Sequence, residues 1–300
     1  MISQTNQISV CICTYKRPQL LKQLLEKLCT LDTFGSFTYS IVVVDNDGSQ
    51  SAQAVVAEFA RSSPVPVKYC VEPRQNIALA RNRALQNADS NLIAFIDDDE
   101  FPDKYWLCNS LQAYFSYGVS GILGPVKPHF ECEPPRWVKK GRFFDRPTHS
   151  TGYQMSFSET RTGNVLFGKA ILSDAQNTFN PEFGTGGEDV DFFRRMMEKG
   201  CRFVWCNEAV VYEIVPSSRC KLSYLLKRAI LRGSNFPKHR THQVRNVTKS
   251  LIAVPCYALA LPVLALLGQH LFIRYLIKLC DHASRLLAFL GFKILTEREM

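Results

Sequence analysis

No acidic residue occurs between positions 214 and 280, a tract that carries 11 Lys and Arg. The remainder is not basic: residues 1–213 hold 22 Lys and Arg against 24 Asp and Glu, and residues 281–300 hold three of each. The net charge of +9 therefore belongs to one C-terminal tract, which suits an anionic surface or phosphate groups as partner. The tract adjoins apolar sequence and lacks interleaved stacking aromatics, which argues against nucleic acid. Also missing are a Cys-x-x-Cys pair and any Cys/His cluster at zinc-ligand spacing. The 11 cysteines are odd in number and mostly sit in apolar runs (Cys11, Cys13, Cys29, Cys70, Cys108), which predicts reduced, buried thiols in a cytosolic protein. Met1–Val10 has no basic start followed by an apolar core, so the sequence predicts no signal peptide and a chain that begins in the cytoplasm. There is no internal repeat, and 46% apolar with 21% charged residues excludes a disordered chain or a coiled coil.

What is present alternates. Ile8–Cys13, Ile41–Val44, Val67–Val71 and Asn91–Ile96 read as strands; Arg17–Leu31, Ser51–Ala60, Asn76–Asn87 and Lys104–Phe115 read as the helices between and after them. That order predicts an α/β fold, a mostly parallel sheet with helices on both faces, whose ligands bind at the carboxyl ends of the strands. Lys127–Gly163 dissolves into Pro, Gly, charges and aromatics and reads as a long functional or mobile loop. A helix from about Glu188 to Lys199, a strand near Phe203–Cys206 and a basic helix over Lys221–Gly233 follow. The expected division is a catalytic domain over residues 1–235 and a basic, apolar, helical membrane-associating segment over 236–300.

The strand ends carry the chemistry. Asn91–Ile96 delivers Asp97, Asp98, Asp99 and Glu100 together, which is either a site for a hard cation such as Mg²⁺ or Mn²⁺ or an acidic loop capping the next helix. Asp45-Asn46-Asp47-Gly48-Ser49 is either a tight turn or an acid facing the same crevice. Thr14-Tyr15-Lys16-Arg17-Pro18 offers hydroxyls and cations at a helix N-terminus, where anions bind. Arg81, at helical spacing from Ile77 and Leu85, points inward to neutralise a diphosphate or the acids, or else lies on a solvated face. Gly186-Gly187-Glu188-Asp189 puts carboxylates at a helix start, either to take a proton from a hydroxyl or to complement the helix dipole.

These motifs, Thr14–Pro18, Asp45–Ser49, Ala80-Arg81-Asn82, Asp97–Asp99 and Gly187-Glu188-Asp189, resemble in order and spacing the inverting family 2 glycosyltransferases of the GT-A fold, over residues 8 to about 235. Glu72–Asn76, Thr162-Gly163-Asn164 and Gly186–Asp189 look most like the bacterial succinoglycan-type exopolysaccharide glucosyltransferases. The resemblance implies a nucleotide-sugar donor, with UDP the first nucleotide to test, held by Thr14, Tyr15, Arg17, Asp45, Arg81, Asp97 and Asp98. It implies a metal, Mn²⁺ or Mg²⁺, on the Asp-x-Asp pair Asp97 and Asp99. Asp189 would be the general base and Glu188 would orient the acceptor, a glycan or lipid-linked glycan. Many relatives complete the metal site with a histidine after the strand corresponding to Phe203–Val211; here Glu213 stands nearby as an oxygen ligand in its place. One base without an enzyme nucleophile implies single displacement with inversion. His129 and His149 read as loop or surface residues.

Leu251–Gly268 runs 18 residues without a charge, contains Pro255 and Pro262, and is flanked by Lys238, Arg240, Arg245, Lys249, Arg274 and Lys278. Three readings apply: a re-entrant or in-plane segment, which the two basic flanks favour, a span, or a buried core helix. The first places the enzyme at the cytoplasmic face of a bacterial inner membrane, peripheral or monotopic, with Arg228 and Arg232 near a lipid-linked diphosphate. Trp137 and Tyr153 are read either as sugar-stacking residues or as ordinary loop packing. Nucleotidyl transfer to a sugar phosphate shares the sheet and the acids but wants a Gly-rich loop, and Thr14–Arg17 has no glycine. A non-catalytic, membrane-docked nucleotide-sugar binder is opposed by the intact Asp97, Asp99 and Asp189.

Overall fold

The computed structural model describes residues 6–172, 178–184, 186–234 and 243–292. The first half alternates as expected: β1 (Asn6–Thr14), α1 (Pro18–Leu28), β2 (Phe37–Asp45), α2 (Gln53–Ser62), β3 (Val67–Val71), α3 (Ile77–Asn87) and β4 (Leu92–Ile96). Next come β5 (Glu100–Pro102), α4 (Trp106–Tyr117), β6 (Gly121–Leu123), β7 (Val126–Phe130), α5 (Arg136–Gly141) and β8 (Asn164–Gly168). The chain ends in α6 (Glu188–Glu198), β9 (Phe203–Trp205), β10 (Val211–Val215), α7 (Leu222–Ser234), α8 (Gln243–Leu267) and α9 (Gln269–Phe289). It divides into two compact units, Met1–Pro128 with Arg146–Ile214 and His129–Asp145 with Val215–Met300.

The first unit is built on a seven-stranded sheet of order β3-β2-β1-β4-β8-β6-β9. β1 lies between two parallel neighbours, β2 and β4, and its residues alternate between the two apolar layers that cover the sheet. Ile8, Val10 and Ile12 pack with Leu21, Leu24, Leu25 and Leu28 of α1, whose spacing makes one buried stripe. Cys11 packs on the opposite face with Ala78, Ala80 and Ala84 of α3. Asn76 caps α3 by accepting from Leu79 N at 3.2 Å.

Within this mostly parallel sheet β8 runs antiparallel to both β4 and β6. Its register sets Asn164 opposite Ile96, so Gly163 comes to rest beside Asp97. The long segment read as irregular contains β7, α5 and a 3₁₀ turn at Phe157–Glu159. All 11 cysteines are unpaired; Cys132 and Cys256 are exposed, unlike the largely covered thiols of the apolar runs.

In the second unit Val138, Phe144, Val215, Cys220 and Leu225 form a small core against which Trp137, Tyr224 and Ile277 pack. Trp137 meets Phe143 at 5.5 Å, which is the packing reading of that residue. The apolar tract forms one continuous helix, α8, with both prolines inside it, and its apolar stretch is largely exposed, which overturns the core-helix reading. By length and composition alone Val247–Leu267 is sufficient to cross a membrane. Of the basic flank, Lys238 and Arg240 and the side chain of Arg245 lie outside the described residues.

One side chain ties the sheet of the first unit together. Asn164, buried, donates to Pro125 O at 3.0 Å and Ala209 O at 2.7 Å and accepts from Trp106 Nε1 at 2.8 Å. Asn164→Ala leaves three buried polar groups unmatched and is expected to destabilise the protein by about 3–5 kcal/mol. Urea unfolding of the variant beside the parent measures this, and a loss under about 1 kcal/mol would contradict it.

Candidate active site

β1, β2 and β4 run parallel, so their carboxyl ends open along one edge of the sheet. There Asp98 and Asp99 share Arg17, while Asp97 faces Arg81. Asp98 is buried and accepts from Thr14 Oγ1 at 2.8 Å and Arg17 Nη1 at 3.1 Å. The same guanidinium nitrogen reaches Asp99 at 3.3 Å. Burial pushes Asp98 up to about 6, against the pull of Arg17 and with a push from Asp99. Asp97 keeps 47% of its side-chain surface exposed and faces Arg81 Nη2 at 3.7 Å. Glu100 is wholly buried, accepts from Asp97 N at 3.1 Å and, chiefly through burial, has a pKa well above the carboxylate range.

Arg81 joins the two halves of the site. Its side chain projects from α3 beneath Phe179, with Nη1 on Glu188 Oε1 and Nη2 toward Asp97. Burial opposes its charge, but Glu188, Asp97 and Asp189 outweigh that and raise its pKa. The inward reading of Arg81 is the one the structure has. Glu188 and Asp189 open α6, which starts at Gly187 with φ 91°. Burial raises the Glu188 pKa while Arg81 lowers it, and Glu188 Oε2 is buried with no hydrogen-bond partner. Asp189 Oδ1 accepts from Val190 N at 2.8 Å. The Cys13 thiol beside this cluster is pushed by burial up to about 12, too high for a nucleophilic thiolate.

Other expected residues sit differently. Asp45 has no exposed surface; it accepts from Asp47 N at 3.1 Å, Ala52 N at 2.8 Å and Tyr69 OH at 2.9 Å. The contacts with Asp47 N and Ala52 N are those of a tight turn. Tyr15 is half-buried with Lys16 Nζ 5.2 Å from its ring centre. Glu213, offered as a metal ligand, lies on β10 opposite Glu100 and is ion-paired with Arg146. Tyr153 stacks on His149 at 4.0 Å, and His149 Nε2 lies 3.3 Å from Glu159, so that histidine is integrated into a packed loop.

Arg146 escapes sequence reasoning, and Asn46 and Gly163 stand inside motifs that gave them no role of their own. Arg146 acts electrostatically on both Asp97 and Glu100, yet nothing local distinguishes it from Arg142 or Arg136. Asn46 donates to Glu72 O at 2.8 Å and Arg74 O at 2.6 Å and accepts from Asn76 N at 2.9 Å, joining two strand-end loops. At Gly163 a Cβ would stand 2.8 Å from Glu100 Oε1 and 3.0 Å from Asp97 Oδ2, so only glycine lets the acids approach. Among the described residues no group of three or more His, Cys, Asp or Glu is arranged to hold a metal ion by itself.

The chain is similar to known proteins along most of its length. Succinoglycan biosynthesis protein ExoM of Rhizobium meliloti (strain 1021) is 35% identical over 237 residues, 78% of this chain and 75% of that protein. Chondroitin synthase of Escherichia coli is 25% identical over 71% of this chain but only 35% of its own length. Among solved structures, the mannosyltransferase PcManGT of Pyrobaculum calidifontis, in complex with GDP-Man and Mn²⁺, superposes with a TM-score of 0.65 at 18% identity, covering 96% of this chain and 87% of that one. S. aureus TarS 1–349 in complex with UDP-GlcNAc gives 0.54 at 18% identity, over 75% of this chain and 66% of that one. Both are GT-A glycosyltransferases, and the likeness is one of fold. A sequence model described as Glycosyl transferase family 2 matches residues 9–172, and with the Rhizobium relative it establishes that the chain belongs to that family of glycosyltransferases.

Proposed function

We propose that this enzyme moves a sugar, with inversion, from a UDP-sugar to a hydroxyl of a glycan or lipid-linked glycan in bacterial surface or exopolysaccharide synthesis. It would do so at the cytoplasmic face of the inner membrane. One observation carries the reading: Arg81 holds Asp97 after β4 and Glu188 at the start of α6 in one cluster. Solved neighbours hold UDP-GlcNAc, UDP or GDP-Man, which supports the donor class, and the Rhizobium relative's name supports the polysaccharide.

Seven carboxyl groups (Asp97, Asp98, Asp99, Glu100, Glu188, Asp189, Glu213) stand against three guanidiniums (Arg17, Arg81, Arg146) in this cluster. That surplus of hard oxygen fits a divalent cation, and such ions commonly take one or two carboxylates plus substrate phosphates rather than a full protein cage. Asp97 and Asp99 would hold Mn²⁺ or Mg²⁺ with the donor diphosphate, where it would offset charge on the leaving group. Glu213 serves by holding Arg146.

Thr14 and Tyr15 line the base and ribose pocket, and Asp45 shapes its loop from behind. Asp189 takes the proton of the acceptor hydroxyl, which Glu188 orients. As the new bond to the anomeric carbon forms, the bond to phosphate breaks and its electrons leave with UDP. Arg17 and Arg81 stabilise that charge more in the transition state than in the ground state. With Asp189 acting as a base and not as a nucleophile, the transfer is a single displacement and the anomeric centre inverts.

Asp189→Asn should lower transfer about a hundredfold or more while UDP affinity stays within about threefold. Sugar release to acceptor, measured beside calorimetry with UDP, checks this; unchanged turnover would remove Asp189 from the role. In the same calorimeter Mn²⁺ should tighten UDP binding, and Asp99→Ala should abolish that increment. The acid surplus also sets a pH dependence. Because folding raises Asp98 from 3.8 to about 6, its ionisation costs the folded state. Metal-free protein therefore gains stability as pH falls from about 6 to about 4, by up to about 3 kcal/mol from this group. Asp98→Asn should gain correspondingly less in thermal unfolding with chelator present, and an equal gain in both proteins would contradict the assignment.

A further inference from the structure

α8 packs mainly on α9, and only 6% of its apolar stretch is buried. Leu251, Ile252, Pro255, Leu259, Val263 and Leu266 recur at helical spacing on its uncovered side, Leu259 at 79% and Leu266 at 89% exposure. Residues 214–280 supply cations and no acid around it. Asp281 on α9 is met by Arg232 and Arg285, and Glu133 by Lys139, so base remains in excess, and an apolar stripe in that setting matches the chemistry of an anionic lipid surface.

Length alone would allow a crossing: 21 residues at about 1.5 Å each give about 31 Å, the thickness of the hydrocarbon core. The packing of α9 forbids it. Arg274, less than two turns past the hinge at Gly268, donates to Gly141 O at 2.7 Å and so docks the hinge end on α5. α5 exposes Arg136, Lys139 and Lys140. His270 lies within the field of Lys140 and Arg274, which, after burial, hold its pKa down. The far end of α9 is held by α7, where a Cβ on Gly233 would stand 2.1 Å from Ser284 Oγ and 2.4 Å from Asp281 O. Standing the hairpin upright would drag the α5 cations into hydrocarbon or strip α9 from its supports.

The prolines agree. Pro255 and Pro262 remove the donors for the Leu251 and Ala258 carbonyls on an exposed helix. Water and headgroups satisfy such carbonyls at the interface, whereas a span would need a neighbouring helix or hydroxyl to do so.

We propose that α8 and α9 dock as an in-plane hairpin on an anionic bilayer: the α8 stripe enters the headgroup–acyl boundary of one leaflet, nothing crosses, and Lys249 and Lys140, at the two ends of α8, hold acidic headgroups. This extends the membrane-surface part of the proposed function and is independent of its chemistry.

The test uses the full chain with Ile252→Trp, Leu259→Trp or Leu266→Trp and vesicles of phosphatidylglycerol and phosphatidylcholine carrying brominated lipids at shallow or deep positions. Above the parent signal, all three tryptophans should be quenched best by the shallow bromines and to the same extent. A Leu259→Trp signal deeper than the other two would mean a span and overturn the proposal. So would failure to bind vesicles, the outcome expected if a protein partner covers the stripe. Leu259→Glu with Leu266→Glu should weaken vesicle binding more than tenfold. Lys140→Gln and Lys249→Gln should each weaken it about fivefold at low salt, as about 1 kcal/mol per cation requires. Unchanged circular dichroism and UDP affinity in these variants separate a failed docking surface from a failed donor site.

Discussion

A buried guanidinium is costly unless carboxylates surround it, and the catalytic half of this chain is organised around one. Arg81 sits under Phe179 with Asp97 on one side and Glu188 on the other. To hold it there, α3 must lie against the sheet, β4 must end just before Asp97, and α6 must begin at Glu188. Each of those requirements has its own support: the small residues Ala78, Ala80 and Ala84 let α3 approach the sheet, and the left-handed Gly187 turns the chain into α6. Asn76 adds a link by donating to Pro181 O at 2.9 Å, just ahead of that turn.

The elements of the first half were legible because they obey local rules. Short β-branched runs matched β3 at both ends and β1, β2 and β4 within four residues, and Pro18 and Asn76 marked the starts of their helices. What was not legible depends on contacts far apart in sequence. The reversed direction of β8 rests on pairing with β4 and β6, which a five-residue apolar run cannot specify. Arg146 and Glu213 are 67 residues apart, and neither carries a local sign of the other. Glu213 read as an oxygen ligand only through the resemblance, at the place where many relatives carry a histidine, and its ion pair with Arg146 had no sign in the sequence. Asp45 shows the converse: the turn reading and the ligand reading share one motif, and the donors that surround its oxygens come from residues two, seven and 24 positions away.

The second unit obeys a different constraint. Its core of Val138, Phe144, Val215, Cys220 and Leu225 is small, and α9 draws its support from α5 and α7 while leaving one side of α8 uncovered. An uncovered apolar helix is poorly suited to water and well suited to an interface. The sequence pointed to this tract through its uncharged run and its prolines, but the neighbours that decide its orientation lie in α5, more than a hundred residues earlier.

The central claim is that Arg81 couples the donor-binding acids to the acceptor-activating ones, and Arg81→Lys addresses it most directly. Lysine keeps the charge but cannot bridge two carboxylates with a planar fork. Sugar transfer and UDP binding should be measured on the same folded preparation. The account predicts transfer reduced about a hundredfold or more, with UDP affinity reduced far less. Transfer within about threefold of the parent, in protein of unchanged circular dichroism, would contradict it.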